Sequence, residues 1–203
     1  MLKYPQSVID YCCASEGKTI AQVIEKYNAR AEVTWEEISN YIPTAPISML
    51  DIGCGIGATT SLVAQMSGAV DVHLIDGEGS LKLQGSFNPE GTTAWNDVRL
   101  AKTMVQANVD NDVTVTMHMP NPQLDFVDLD LIVSFRSWCH HYPADTYLKL
   151  AQRGLREGGT LIVDVRAGTN GEEVLRAGGF TTIAHVNQNS TSPGKCRRLV
   201  LRK

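Results

Sequence analysis

Chemistry in this 203-residue chain concentrates in two stretches. The first reads Leu50-Asp-Ile-Gly-Cys-Gly-Ile-Gly-Ala58. Gly53, Gly55 and Gly57, at alternate positions, leave a strand-to-helix turn bare of side chains, so a ligand can approach the backbone closely. Asp51 stands two residues before the first glycine. A carboxylate aimed at that loop repels a pyrophosphate and suits a cationic ligand. The spacing is also not the GxGxxG of dinucleotide sites, which argues against a nicotinamide-dependent oxidoreductase. Asp76 follows 25 residues after Asp51, at the end of His73-Leu-Ile-Asp76. An acid there can accept both hydroxyls of a ribose, with Glu78 as the competing candidate.

The second stretch is Ser134-Phe-Arg-Ser-Trp-Cys-His-His-Tyr-Pro143. Histidine titrates near neutrality and can take a proton from a hydroxyl or amine. Adjacent loop residues point different ways, so one of the pair faces the reacting group, with His141 favoured over His140 and Arg136 beside them. The competing reading is that this histidine packs against, or caps, the following helix.

The elements that position these residues change character near Pro43–Pro46. Before that point apolar residues recur at helical spacing (Val8, Ile9, Cys12; Ile20, Val23, Ile24, Tyr27). A third helix is expected to open at Thr34-Trp-Glu-Glu37, which has the capping-box pattern. Residues 1–45 therefore read as a helical lid on residues 46–203. From Ile47 onward, apolar strands alternate with helices: strands at 47–52, 70–75, 113–117, 129–135 and 161–165, and helices at 56–66, from 96 or 97 to 108, 143–156 and 172–177. Two last strands, 180–186 and 196–201, flank a turn-rich 187–194 as in a hairpin. Near-continuous apolar strands separated by helices imply an α/β fold, a mostly parallel seven-stranded sheet covered on both faces, with an antiparallel carboxyl-terminal hairpin. Ligands bind such sheets beyond the carboxyl ends of the strands, which here means 53–58, 76–79, 118–123, 135–142 and 166–170. The glycine-rich stretch 77–95 reads as a long loop beside the ribose acid, either a lid over the ligands or disordered.

The glycine loop with its acid resembles the cofactor loop of class I S-adenosylmethionine-dependent methyltransferases, and the resemblance extends over 47–202. It implies a Rossmann-like methyltransferase fold, with S-adenosylmethionine as cofactor and S-adenosylhomocysteine as product. It also implies that Asp51, Gly53, Gly55 and Gly57 hold the methionine part, with Asp51 linked to the amino group directly or through water. Asp76 then holds the ribose, and Cys54, Gly77 and Ser134 join the cofactor side. The family's acid after the third strand is missing from His118-Met-Pro-Asn-Pro-Gln123, where Asn121 or a backbone group must serve the adenine. The segment Ser137-Trp-x-x-His-Tyr-Pro-x-x-Thr-Tyr-Leu148 is similar to a motif of sugar O-methyltransferases, and Trp95-Asn96 after Ser86-Phe-Asn-Pro-Glu-Gly91 fits the same pattern. That resemblance implies a hydroxyl of a small molecule or sugar as acceptor.

Several classes are opposed. The Asn/Asp-Pro-Pro-aromatic motif of DNA amino-methyltransferases is missing, and Cys139 lacks the preceding proline of a cytosine-methylating nucleophile. The histidines and acids have no metal-ligand spacing, so no metal is expected. Net charge is −4, which gives no general attraction to nucleic acid. A cluster of five cations at 195–203 keeps a nucleic-acid acceptor as an alternative, though charges on an edge strand more often oppose aggregation. A catalytically silent cofactor-binding protein is the other alternative. With 43% hydrophobic and 20% charged residues, the chain has a globular composition. It has no apolar run near the ~18 residues of a bilayer span. Five scattered cysteines form no disulfide framework, and the amino-terminal residues have no signal-peptide core, so a reduced, cytoplasmic setting is expected.

Overall fold

A computed structural model describes residues 1–82, 87, 93–187 and 195–203. Two helices, α1 (Gln6–Glu16) and α2 (Ile20–Ile38), precede the first strand, β1 (Ile47–Ile52). There follow α3 (Ala58–Ser67), β2 (Ala69–Ile75), β3 (Glu78–Lys82), β4 (Thr93–Asp97), α4 (Val98–Gln106), β5 (Thr114–His118), β6 (Leu129–Ser134) and β7 (Ser137–Tyr142). The chain closes with α5 (Asp145–Gly154), β8 (Leu155–Arg166), α6 (Gly171–Ala177), β9 (Thr181–His185) and β10 (Cys196–Arg202).

Seven strands form one sheet in the order β5-β2-β1-β6-β8-β10-β9. Neighbours from β5 to β8 are parallel, and β10 runs antiparallel to both β8 and β9. The apolar runs are explained by this arrangement, since β1 and β6 are covered on both faces and bury nearly every side chain. One face packs Leu50, Ile132 and Leu161 against Tyr147 and Leu150 of α5 and Leu175 of α6. The other packs Met49, Val72 and Leu131 against Val63 of α3, Val105 of α4 and Ile38 of α2. From β1 the chain winds outward to β2 and β5, then returns to place β6 on the other side of β1. Strand order reverses between β1 and β6, and the crevice beyond their carboxyl ends is where such sheets bind ligands.

Four expectations are corrected. No third helix opens at Thr34, because α2 runs unbroken to Ile38 and buries Thr34 and Glu37 on its inner face. The capping box lies at its true start, where Gln22 N–H donates to Thr19 Oγ1 at 3.4 Å and Thr19 N–H donates to Gln22 Oε1 at 3.0 Å. Second, the 77–95 stretch is not one long loop: β3 and β4 pair antiparallel as a separate ribbon. The centre of the expected lid, 83–86 and 88–92, lies outside the described residues, as do 188–194 of the terminal hairpin. Third, residues 137–142, read as loop, are extended as β7.

The fourth correction concerns the basic cluster. The sheet edge is β9, and β10 lies inside. Arg198 is 4% exposed. Its Nε and Nη2 donate to the two carboxylate oxygens of Asp164 at 2.8 and 3.0 Å, and Nη1 donates to Glu37 Oε2 at 2.6 Å. The guanidinium also lies over the Phe135 ring, 4.8 Å from its centroid. Arg197 pairs with Glu172 at 3.3 Å, Arg202 donates to the Gly158 carbonyl, and Lys203 donates to the carbonyls of Gln152 and Leu155.

Removing one partner of a buried ion group leaves an uncompensated charge, so Arg198→Ala is expected to cost about 3–5 kcal/mol. Arg197→Ala, at the neighbouring exposed position, should cost under about 1 kcal/mol. Urea denaturation of the two variants checks the contrast.

Candidate active site

The glycine loop turns sharply after β1, and the three glycines are required for different reasons. All have left-handed φ, at 81° for Gly53, 60° for Gly55 and 78° for Gly57. A Cβ on Gly53 would fall 1.9 Å from Ser137 Oγ, so this glycine lets the loop abut the start of β7. A Cβ on Gly57 would fall 2.8 Å from the Ala101 carbonyl, so this one seats the start of α3 on α4. At Gly55 nothing lies within 4 Å of that position. Gly55 therefore faces open space and needs glycine for its backbone angle alone.

Two buried carboxylates flank the loop in different states. Asp76 accepts the Gly55 N–H on Oδ2 at 2.6 Å and the Gly77 N–H on Oδ1 at 2.7 Å, bracing the loop from beneath. Glu78 instead pairs with Arg99 of α4 at 2.9 Å. Asp51 is 2% exposed. Its Oδ2 accepts the Thr60 hydroxyl at 2.6 Å, while its Oδ1 is buried with no hydrogen-bond partner. Burial pushes the Asp51 carboxyl up to about 7, the Asp76 charge adds to the rise, and the Thr60 hydrogen bond and the Arg30 charge oppose it.

Across the crevice, Ser134 fastens the end of β6 to the end of β1. Its hydroxyl donates to the Ile52 carbonyl at 2.7 Å and accepts the Trp138 N–H at 2.9 Å. Trp138 is fully buried and donates from Nε1 to the Ala144 carbonyl at 2.9 Å. On either side of it, Arg136 and Cys139 hold left-handed φ of 57° and 65°, which side chains other than glycine rarely adopt. The Cys139 thiol is buried and its pKa is raised by that burial, the opposite of an activated nucleophile.

His140 and His141 sit together on β7, half-buried, with ring centroids 4.9 Å apart. Both Nδ1 atoms are buried without a partner. Burial pulls His140 down to about 4, helped by the charges of His141, Arg166 and Arg136. His141 is lowered by burial and by Arg166. Both rings are therefore neutral at pH 7. No side chain caps the start of α5, so the helix-capping reading of these histidines fails. Asn121 is exposed and its Oδ1 accepts the Gln123 N–H at 2.9 Å, closing its own turn.

Three residues around the site had no local signal in the sequence. Thr60 is Asp51's hydrogen-bond donor from α3. The Tyr11 hydroxyl of α1 is buried without a partner and titrates high through burial, then through the charges of Asp97, Cys12 and Asp76. Arg30 of α2 lies within electrostatic range of Asp51 and Arg136. Among the described residues, no group of three or more His, Cys, Asp or Glu is arranged to hold a metal ion, and no helix is long and apolar enough to cross a membrane.

No protein-family model matches this chain, and no curated protein matches it. Solved structures do. The [4+2]-cyclase SpnF superposes with a TM-score of 0.60 at 15% identity, over 85% of this chain and 81% of its own. Magnesium protoporphyrin IX methyltransferase from Synechocystis PCC 6803, solved with bound SAM, gives 0.58 at 18% identity over 89% and 81%. An S-adenosylmethionine-dependent methyltransferase from Mesorhizobium loti gives 0.60 at 12% identity over 87% and 100%. The chain has the class I methyltransferase fold. Within that fold the Asp51 loop ends the first strand of the sheet, Asp76 ends the second and Ser134 ends the fourth. Identities this low speak to architecture alone, and a cyclase among the neighbours shows that the class I fold hosts more than one chemistry.

The state of Asp51 has a consequence for stability. A carboxyl raised from 3.8 to about 7 in the folded protein contributes stability that is full below pH 3.8 and lost as pH rises through 7. Asp51→Asn should therefore raise the melting temperature of the ligand-free protein at pH 8, by up to about 4 kcal/mol of stability. The gain should vanish toward pH 4, which thermal denaturation across that range reads directly.

Proposed function

We propose that this chain is an S-adenosylmethionine-dependent methyltransferase acting on a hydroxyl of a small molecule or sugar and releasing S-adenosylhomocysteine. The observation that carries the reading is the unpartnered Oδ1 of Asp51, buried at the end of β1 two residues before the glycine loop. A buried carboxylate oxygen without a donor is costly, and an ammonium group is the partner that best relieves it. With Asp76 at the end of the next strand, the residues fit a ligand carrying a cationic amino acid at one end and a ribose at the other. Asp51 takes the ammonium, the backbone of Gly53, Cys54, Gly55 and Gly57 lines the methionine part, Asp76 and Gly77 take the ribose, and Asn121 lies toward the adenine. Ser134 holds β1 and β6 in register from behind.

When bound, the cofactor supplies a methyl group on a sulfonium, electrophilic at carbon. The protein's tasks are then to align the acceptor and remove its proton. His141 is the proposed proton acceptor with His140 as the alternative, and Arg136 orients the substrate. Their neutrality supports this role, because an imidazole already free of its proton can take one from a hydroxyl. The motif similar to sugar O-methyltransferases favours a hydroxyl over an amine. A nucleic-acid acceptor draws less support, since four of the five carboxyl-terminal cations are engaged within the fold.

Calorimetric titration with S-adenosylhomocysteine beside NAD tests the cofactor half. Saturable binding of the former alone is expected, weakened at least about ten-fold in Asp76→Ala, where two charge-assisted hydrogen bonds are lost. Unchanged affinity in that variant, or binding of NAD, would sink the reading. On an acceptor found by screening, beginning with sugars, His141→Gln should slow transfer by about 10²–10⁴-fold with cofactor affinity retained. Cofactor binding without transfer to any acceptor would make the protein catalytically silent.

A further inference from the structure

A cavity of about 380 Å³ lies between the two amino-terminal helices and the glycine loop. Tyr11 and Ser15, one turn apart on α1, form one wall with Glu16 at the helix end and Lys18 just beyond it. Lys26 and Tyr27 of α2 form the second wall, and Ile56, between Gly55 and Gly57, the third. Asp51, Asp76, His140 and His141 do not line this space. Its volume falls in the range of small-molecule sites, about 300–1,000 Å³.

The polar groups around this cavity divide unevenly into donors and acceptors. Glu16 supplies its one carboxylate, and both oxygens are engaged. Oε1 accepts the Tyr27 hydroxyl at 2.6 Å, and Oε2 accepts the Lys26 and Lys18 ammonium groups at 2.6 and 3.0 Å. Burial raises the Glu16 carboxyl, but the hydrogen bonds from Lys26, Tyr27 and Lys18 outweigh it and hold the group down to about 2. The unused capacity is mainly in donors. An ammonium group carries several N–H donors, and each lysine uses one of them on Glu16. Lys18 and Lys26 are 39% and 42% exposed, so a ligand reaches both from solvent. The Tyr11 hydroxyl is buried with no hydrogen-bond partner, and burial, followed by the Asp97 charge, keeps its proton in place. Asp97 and Asp76 act on that hydroxyl through space without lining the cavity. Among the groups that do line it, two cations face one carboxylate. Tyr11, Tyr27 and Ile56 supply apolar surface, and all three pack in the same cluster.

We propose that this cavity is a second ligand site, for a small organic anion whose carboxylate or phosphate meets Lys18, Lys26 and the Tyr11 hydroxyl. The apolar or aromatic body of that anion lies against Tyr27 and Ile56. Spare donors beside an excess of positive charge suit a group that only accepts hydrogen bonds. A buried hydroxyl without a partner is costly, and an incoming acceptor removes that cost. The site goes beyond the methyltransferase reading and does not depend on it. Where that reading holds, an occupant packs on Ile56, next to the Gly55 N–H that Asp76 fixes at 2.6 Å.

The test is calorimetric titration of the full chain with benzoate and, beside it, phenyl phosphate, which separates carboxylate from phosphate recognition. Benzyl alcohol, an aromatic ring without the charge, is the control. Saturable binding of one anion is expected, with benzyl alcohol at least about ten-fold weaker, and the affinity should fall as salt rises. Tyr11→Phe and Lys18→Gln should each weaken the anion by about ten-fold, through loss of one charge-assisted hydrogen bond. Tyr11→Phe removes no hydrogen bond from the ligand-free protein, so its melting temperature should not fall. The proposal is overturned if neither anion saturates, if benzyl alcohol binds as tightly, or if either variant binds as the unmodified chain does. Displacement of the anion by saturating S-adenosylhomocysteine would make the cavity part of the cofactor site and overturn it too. Failure of S-adenosylhomocysteine to bind would remove the methyltransferase reading and leave the anion result standing.

Discussion

Arg198 and its two carboxylates tie the parts of this protein together. The arginine belongs to the seventh strand of the sheet, Asp164 to the fifth and Glu37 to a helix that precedes the whole sheet in sequence. Out of water, none of the three tolerates the loss of another, so helix α2 is fixed to the sheet by an interaction that is formed completely or not at all. Everything α2 contributes follows from that fixation. It lays Val23 and Ala31 into the cluster that covers Ile56 of the glycine loop. The same guanidinium covers the Phe135 ring, the residue before Arg136. One buried cation thereby sets the position of elements on both sides of the site.

The glycine loop shows how one charge can be satisfied and its neighbour left waiting. Asp76 has amide donors on both oxygens and braces the loop whether or not a ligand is present. Asp51 has a donor on one oxygen only, and burial raises its pKa. A cation at Asp51 removes the cost of that burial, whereas a pyrophosphate would add to it. In the proposed function the loop discriminates by charge as well as by shape, with Asp51 meeting the ammonium and Asp76 both bracing the loop and meeting the ribose.

Much of this was legible in the sequence, because the signals are local. The β1 and β6 runs are apolar throughout since parallel strands are covered on both faces, and the three glycines with Asp51 mark a turn that other residues cannot make. What escaped depended on partners distant in the chain. Thr34-Trp-Glu-Glu37 matches a capping box, yet without a proline or glycine before it the helix continues, and Glu37 is buried for the sake of an arginine 161 positions away. Arg198 looked like one of a surface cluster because period-two alternation does not say which of Arg197 and Arg198 points inward, nor that β10 is interior. The glycine-rich stretch after Asp76 resembled a loop because Glu78–Lys82 and Thr93–Asp97 carry no run of large apolar residues in the sequence. Within the site, the acids and histidines were visible as residue types, while Arg30, Tyr11 and Thr60 gained meaning only from tertiary packing.

The surroundings of the histidines also bear on how weak bases could serve the proposed reaction. Burial is the main cause that holds His140 and His141 neutral, and the charge of Arg166, joined at His140 by that of Arg136, adds to it, which makes each imidazole a poorer proton acceptor than a free one. Those same cations favour negative charge on an oxygen bound among them, so the acidity of an acceptor hydroxyl rises as the basicity of the histidines falls. The two effects act in opposite directions on proton transfer and offset one another. Their balance depends on where the positive charge sits: nearer the hydroxyl than the ring, it helps removal of the proton, and nearer the ring, it hinders.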